Sequence, residues 1–343
     1  MRVAMYYSNN DIRIEEMPVP EVGPEEILIR IEASGICGSD IMEWYRRDKV
    51  PLVLGHEIAG EIVKTGNKVK NFKKGQRVSA SHHVPCNECH YCLSGHSSVC
   101  DLLRKTKFHP GGFAEYVLIP SINIEKKGVY LLPENISYEE GSFSEPVACV
   151  LRAQKQIRVK KGKSVLVIGS GISGLLHVML ARALGASPIM ATDVSEYKLN
   201  MAKESGADVV MHSKSYNTEQ FRKLNSGRLA DIVILCAGAP AAIYQAIDSV
   251  ERGGTLLVFA AMTDNADINF PVNKIFWRNE ITIVSSYANH PSEQVEALEL
   301  ISSGRMPVRK LITHRFGLED TSKGFKLLAE GRDCVKVIIE PQK

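Results

Sequence analysis

Ser164-Val165-Leu166-Val167-Ile168-Gly169-Ser170-Gly171-Ile172-Ser173-Gly174 is the stretch from which the fold reads out. The unbroken apolar run at 164–168 predicts a strand buried on both faces. Gly169, Gly171 and Gly174 follow in G-x-G-x-x-G spacing, and a helix is predicted over 175–184. The next predicted strand, 188–192, ends at Asp193. The first two glycines let the backbone turn and approach a pyrophosphate, and the helix start offers free N–H groups and a positive dipole end. Asp193 stands about 20 residues on, where a carboxylate accepts from ribose hydroxyls and repels a 2′-phosphate. As a surface acid at a strand end, Asp193 would need no ligand, but its spacing from the glycines favours the ribose. Strand, glycines, helix, strand and acid in this order predict a doubly wound α/β dinucleotide-binding unit. The alternation continues with strands at 230–235, 255–260 and 281–286 and a helix at 241–250.

Upstream the pattern changes. Short runs at 3–7, 12–14, 27–31, 61–63 and 77–79, broken by Gly and Pro, predict a β-barrel or sandwich rather than a helical layer. Asn9-Asn10-Asp11 marks a hairpin turn, and Ser137 with Glu140 three residues on is a capping box for a helix running toward Glu145. Beyond the parallel unit, helices at 291–302 and 321–330 precede a strand at 334–340. That tail is expected to return to the first domain and close its sheet.

Gly55-His56-Glu57-Ile58-Ala59-Gly60 sets an imidazole beside a carboxylate, with Cys37 upstream in Cys37-Gly38-Ser39-Asp40 and Glu145 downstream in Glu145-Pro146. A thiolate, an imidazole and carboxylates form a mixed shell suited to zinc with one position open for water or substrate. Alone, Cys37 reads as a small buried hydrophobe; beside His56 and Glu57 the metal reading prevails. Glu145 has an alternative as an N-cap or ion-pair partner. Ser39, two residues from Cys37, could accept the proton of an alcohol, or serve only as a turn hydroxyl. Cys86, Cys89, Cys92 and Cys100 read C-x2-C-x2-C-x7-C. Four thiolates from one short lobe close a tetrahedron around a structural zinc, and the usual iron–sulfur spacings differ.

The 343 residues are 44% hydrophobic and 24% charged with a formal net charge of +3. This gives room for two domains and points to no nucleic-acid or membrane partner. The N-terminus lacks a signal-peptide core, so a cytoplasmic location is expected, with the clustered cysteines serving metal rather than disulfides.

These motifs together resemble the zinc-containing medium-chain alcohol dehydrogenases over essentially the whole chain. The likeness is strongest to the polyol (sorbitol) and threonine 3-dehydrogenase branches, and also rests on 111–116 and Thr192-Asp193-Val194-Ser195. The resemblance implies a GroES-like catalytic domain in two segments, 1–153 and 289–343, around a Rossmann domain at 154–288. It implies Cys37 and His56 on a catalytic zinc. Glu57 and Glu145 would be its carboxylates, bound directly, through water or in alternation. Gly169, Gly171, Ser173, Gly174, Asp193 and Lys198 would serve the cofactor. It further implies one catalytic and one structural zinc per chain, NAD in preference to NADP, a secondary alcohol or its carbonyl partner as substrate, and a homodimer or homotetramer. Polyols, sugar alcohols or sugar acids lead as substrates, with a 3-hydroxy amino acid as the rival. His83 falls where threonine dehydrogenases often carry a histidine near substrate, and Tyr287 is a pocket candidate by family position. Two positions depart from the pattern. Met42 replaces a histidine that commonly ends the proton relay, which suggests exit through water or Glu43. Arg152 stands where a histidine is frequent.

Overall fold

The computed structural model describes residues 1–262, 267–331 and 333–343. The chain divides into two units, Met1–Ala148 with Ala288–Lys343, and Cys149–Tyr287.

Six strands build the second unit: Val165–Ile168, Ile189–Asp193, Val209–His212, Ala230–Leu235, Val250–Val258 and Thr282–Ser285. Every pairing among them is parallel, and their spatial order is third, second, first, fourth, fifth, sixth. This is the doubly wound order, in which a dinucleotide site lies outside the C-terminal ends of the central strands. Residues of Val165–Ile168 are at most 2% exposed, as expected of a strand covered on both faces. The helix Ile172–Ala183 begins directly after Gly171. Gly169 has φ +92°, and a Cβ at Gly174 would sit 1.9 Å from the Gly169 carbonyl oxygen. The strand read at 255–260 in fact starts at Val250. Gly253-Gly254 does not break it; the pair instead coincides with a register shift against Ala230–Ile232, so the glycines accommodate an irregular ladder.

In the first unit the strand Ile27–Gly35 is the hub. It pairs antiparallel with Glu57–Thr65, Tyr116–Ile119 and Lys336–Glu340. Its core is a cluster of branched side chains that includes Ile27, Ile29, Ile31, Ile58, Ile62 and Val117. The tail returns as expected: Lys336–Glu340 joins the sheet beside Gly35, and Ile312–Gly317 pairs parallel to it. The strand Ile312–Gly317 is not evident in the sequence, because Thr313, His314 and Arg315 interrupt its apolar pattern. The hairpin forms from Arg2–Ser8 and Asp11–Glu16. Ser137 and Glu140 make both halves of the capping box ahead of Tyr138–Ser142. Among the described residues no helix is long and apolar enough to cross a membrane.

His177 lies fully buried in the second unit, with Gln154 Nε2 at 3.1 Å from its Nδ1 and its ring edge-on to Phe259. Burial pushes its pKa down to about 3. The unfolded chain binds this proton near pH 6.5 and the folded one does not, so stability falls as pH drops below that value. His177→Leu is therefore expected to remove about 2–3 kcal/mol of the parent's stability loss between pH 6 and pH 4. Urea unfolding across that range measures it.

Candidate metal centre and cofactor loop

Strand register explains how distant residues meet. Gly35 stands opposite Glu57 and Ser34 opposite Ile58. The chain leaves one strand toward Cys37 at the same end where it enters the other through His56. Donor atoms of Cys37, His56 and Glu57 consequently lie within 4.8 Å of one another.

Further contacts orient the set. Asp40 is fully buried; its Oδ2 accepts the Cys37 N–H at 3.0 Å, and its Oδ1 lies 3.5 Å from His56 Nδ1. A carboxylate behind the non-ligating ring nitrogen fixes tautomer and ring direction. Burial opposes charge on both groups. Their mutual attraction, with Cys37 and Arg46 contributing, still holds Asp40 below the carboxylate range and His56 well above the usual imidazole value. Arg46 adds a contact to the Ser39 carbonyl at 3.3 Å and lies 3.6 Å from Asp40.

Glu57 is 1% exposed and accepts from the Nζ of Lys336, which is 0% exposed and also donates to the Ile36 carbonyl at 3.1 Å. Gly35 makes room: a Cβ there would lie 2.2 Å from Glu57 Oε2. Glu57 is thus a member of the donor set that is already neutralised by an ammonium from the last strand.

Glu145 is not in the mutual 4.8 Å set. It lies at the start of the helix Ser144–Gln156, is 8% exposed, and accepts from Asn289 Nδ2 at 3.2 Å. Ser39 is half-buried, with its N–H toward Cys37 Sγ at 3.5 Å. The ring beside His56 is that of His82, with centroids 4.8 Å apart, while the His83 ring is tilted against His82 at 3.7 Å and bonds the Thr106 carbonyl through Nδ1. Burial and the neighbouring positive groups push His82 well down, and burial takes His83 to about 4. Both rings are therefore neutral at physiological pH. Glu43, the suggested proton exit, has its Oε1 on the Asn9 N–H at 2.7 Å.

Cys86, Cys89, Cys92 and Cys100 converge as a second set. Their Sγ atoms stand 3.6–3.8 Å apart along the contacts Cys86–Cys92, Cys89–Cys92 and Cys86–Cys100. A tetrahedron with metal–sulfur bonds of about 2.3 Å has edges of about 3.8 Å, so the lobe fits zinc.

On the parallel unit, Gly171 has no atom within 4 Å of where a Cβ would stand, which leaves its backbone open to a phosphate. Asp193 accepts from Ser170 N–H at 2.7 Å and Ser195 N–H at 2.9 Å, which holds its carboxylate beside the glycine loop. Ser173 and Lys198 are partly exposed, and the Lys198 N–H is capped by Ser195 Oγ at 3.4 Å.

A mixed donor set on a largely antiparallel sheet, a four-thiol lobe and a glycine loop on a doubly wound sheet define a zinc-binding dehydrogenase. Residues 23–129 match the family model for the alcohol dehydrogenase GroES-like domain, and residues 173–303 match that for zinc-binding dehydrogenase. Sorbitol dehydrogenase of Bacillus subtilis (strain 168) is 32% identical over 358 residues, covering 100% of this chain and 98% of its own. L-threonine 3-dehydrogenase of the same organism is 35% identical, covering 96% and 94%. The crystal structure of a zinc-binding dehydrogenase from Sinorhizobium meliloti 1021 bound to NADP matches with a TM-score of 0.89 at 27% identity over 99% of each chain. The chain belongs to the zinc-dependent medium-chain alcohol dehydrogenase family, in its polyol and threonine dehydrogenase branch, and is an oxidoreductase of that family.

Sequence reasoning missed four contributors. Asp40 stands within the Cys37 motif, but nothing local marks its role. Lys336 carries a signal, since it is the lone charge at the start of an apolar strand. Asn289 and Gln294 carry none, because amides in a loop and helix are ordinary until their partners are known.

Removing one member of a buried ion pair leaves the other uncompensated. Lys336→Met is expected to lower unfolding free energy by about 3–5 kcal/mol, and the double variant Glu57→Gln/Lys336→Met by less. Chemical denaturation of the three proteins tests this.

Proposed function

We propose that the protein oxidises a secondary alcohol, foremost a polyol, sugar alcohol or sugar acid, with NAD as acceptor. The observation that carries the reading is the convergence of Cys37, His56 and Glu57, in a chain that also carries an intact glycine loop. When bound, zinc supplies Lewis acidity and nicotinamide accepts hydride. Cys37 and His56 would hold the ion, with Asp40 keeping the His56 ring aligned, and Glu57 or Glu145 would supply the carboxylate. Ser39 would take the alcohol proton by hydrogen bond. Met42 has no group that can carry it onward, so the proton would leave through water or Glu43. His82, neutral and beside His56, lines the same end of the unit.

Asp193 supports NAD over NADP, because its carboxylate would repel a 2′-phosphate. With Ser173 and Lys198 it would make the adenosine side of the site, and Gly169, Gly171 and Gly174 would let the pyrophosphate approach the backbone. Oxidation of a 3-hydroxy amino acid is the second reading, supported by the identity to a threonine dehydrogenase. The eight free cysteines suit the reducing cytoplasm. A homodimer or homotetramer is supported by Thr282–Ser285 at the sheet's edge and by Val272, Phe276 and Trp277, which are 59%, 47% and 69% exposed.

Metal analysis of the purified protein should find zinc at both donor sets, with Cys100→Ser losing the ion of the lobe and Cys37→Ser losing the other. Parallel assays on polyols, aldonates and threonine with NAD and NADP should give highest kcat/KM for a polyol with NAD. Asp193→Ala should lower the NAD preference. Activity on threonine alone would replace the first reading by the second, and zinc only in the lobe would remove both. Trp277→Asp is expected to shift the molar mass in light scattering toward one chain.

A further inference from the structure

Glu145 is held by a chain of buried groups that the proposed reaction does not use. Asn289, 5% exposed, donates from Nδ2 to Glu145 Oε1 at 3.2 Å and lies 3.5 Å from the Glu145 carbonyl oxygen. Its Oδ1 accepts from Gln294 Nε2 at 3.2 Å, and the same Nε2 donates to Ser81 Oγ at 2.9 Å. Gln294 is 0% exposed, on the helix Pro291–Ser302. Ser81, 2% exposed, also receives the Tyr130 hydroxyl at 3.4 Å, and Asn123 Nδ2 clamps the carbonyls of Ser81 and His82 at 2.8 and 3.2 Å. Three remote segments, around 79–83, 144–145 and 289–294, are thereby locked together.

The direction of these bonds matters. Gln294 commits its amide nitrogen to two acceptors, Ser81 Oγ and Asn289 Oδ1. With its oxygen engaged, Asn289 turns its N–H₂ toward Glu145. A donor aimed at a carboxyl oxygen fixes the plane of that group. Turning the Asn289 amide over would set Oδ1 against the Glu145 oxygens and its N–H₂ against that of Gln294. Two buried like-to-like contacts would replace two hydrogen bonds, so Asn289 does not turn over on its own.

We propose that Asn289 and Gln294 are positioning residues for Glu145: a buried amide relay that presents Glu145 as an oriented carboxylate and so sets how tightly the catalytic ion is held. The proposal rests on the reading of Glu145 as a carboxylate of that ion, and the test separates the two. Zinc release from the holoenzyme to a chromogenic chelator is followed for the parent, Asn289→Leu, Gln294→Leu and Glu145→Gln, and the visible d–d spectrum is recorded after cobalt(II) exchange at the catalytic set. Asn289→Leu should release that ion about ten- to a hundredfold faster, alter the cobalt bands and lower kcat, with the KM for NAD and the zinc of the four-cysteine lobe unchanged. Gln294→Leu should do the same to a lesser degree, and it serves alone if Asn289→Leu does not fold. Combined with Glu145→Gln, either change should add nothing further. Parental release rates and spectra in both amide variants, with Glu145→Gln altering both, would overturn the relay alone. No effect of Glu145→Gln itself would overturn the ligand reading and the relay with it.

Discussion

The buried pair between Glu57 and Lys336 is the contact on which the first unit depends. One partner follows His56 directly, and the other opens a strand within the last ten residues of the chain. A carboxylate and an ammonium can share a dry interior only if each finds its counter-charge there. The chain must therefore bring its end back to its beginning before this sheet is complete. Lys336–Glu340 does so beside Gly35, and the absence of a side chain at Gly35 leaves the volume the two charges fill. The interaction that closes the unit also governs one carboxylate of the candidate metal set.

Charge in the same unit is arranged in layers. Cys37, His56 and Glu57 converge; behind them stand Asp40 and Lys336, each of opposite sign to a neighbour. Arg46 stands behind Asp40. Such layering lets anionic and neutral donors be buried at a cation site, because each charge has a partner of its own. The depressed His82 and His83 follow first from burial, to which the neighbouring positive groups add, so both rings stay neutral. Neutral rings can border a reacting alcohol without competing for its proton.

The parallel unit solves a different problem. Its loop leaves the backbone bare where Gly171 stands and packs the helix onto the strand at Gly174. Asp193 is fastened to the loop by the Ser170 N–H and to the start of the next helix by the Ser195 N–H, which holds its carboxylate beside the glycines.

Much of this is legible in the sequence where the physics is local. The glycine spacing, the acid at the following strand end, the four-cysteine lobe and the Ser137 capping box each depend on residues close in the chain, and the structure contains all of them. Cys37 and His56 are legible as donor types because thiolate and imidazole chemistry belongs to the residue. Tertiary structure decided the rest. Only strand register brings Cys37 to His56; only the returning last strand gives Glu57 its ammonium. Only the chain around residue 290 hands Glu145 its amide donor, and only packing chose His82 over His83 as the neighbour of His56. A short-range pattern is fixed by covalent spacing, whereas a long-range partner is fixed by the burial of everything between. The sequence by itself therefore determined the chemistry available to this protein, and the folded chain decided which groups meet to carry it out.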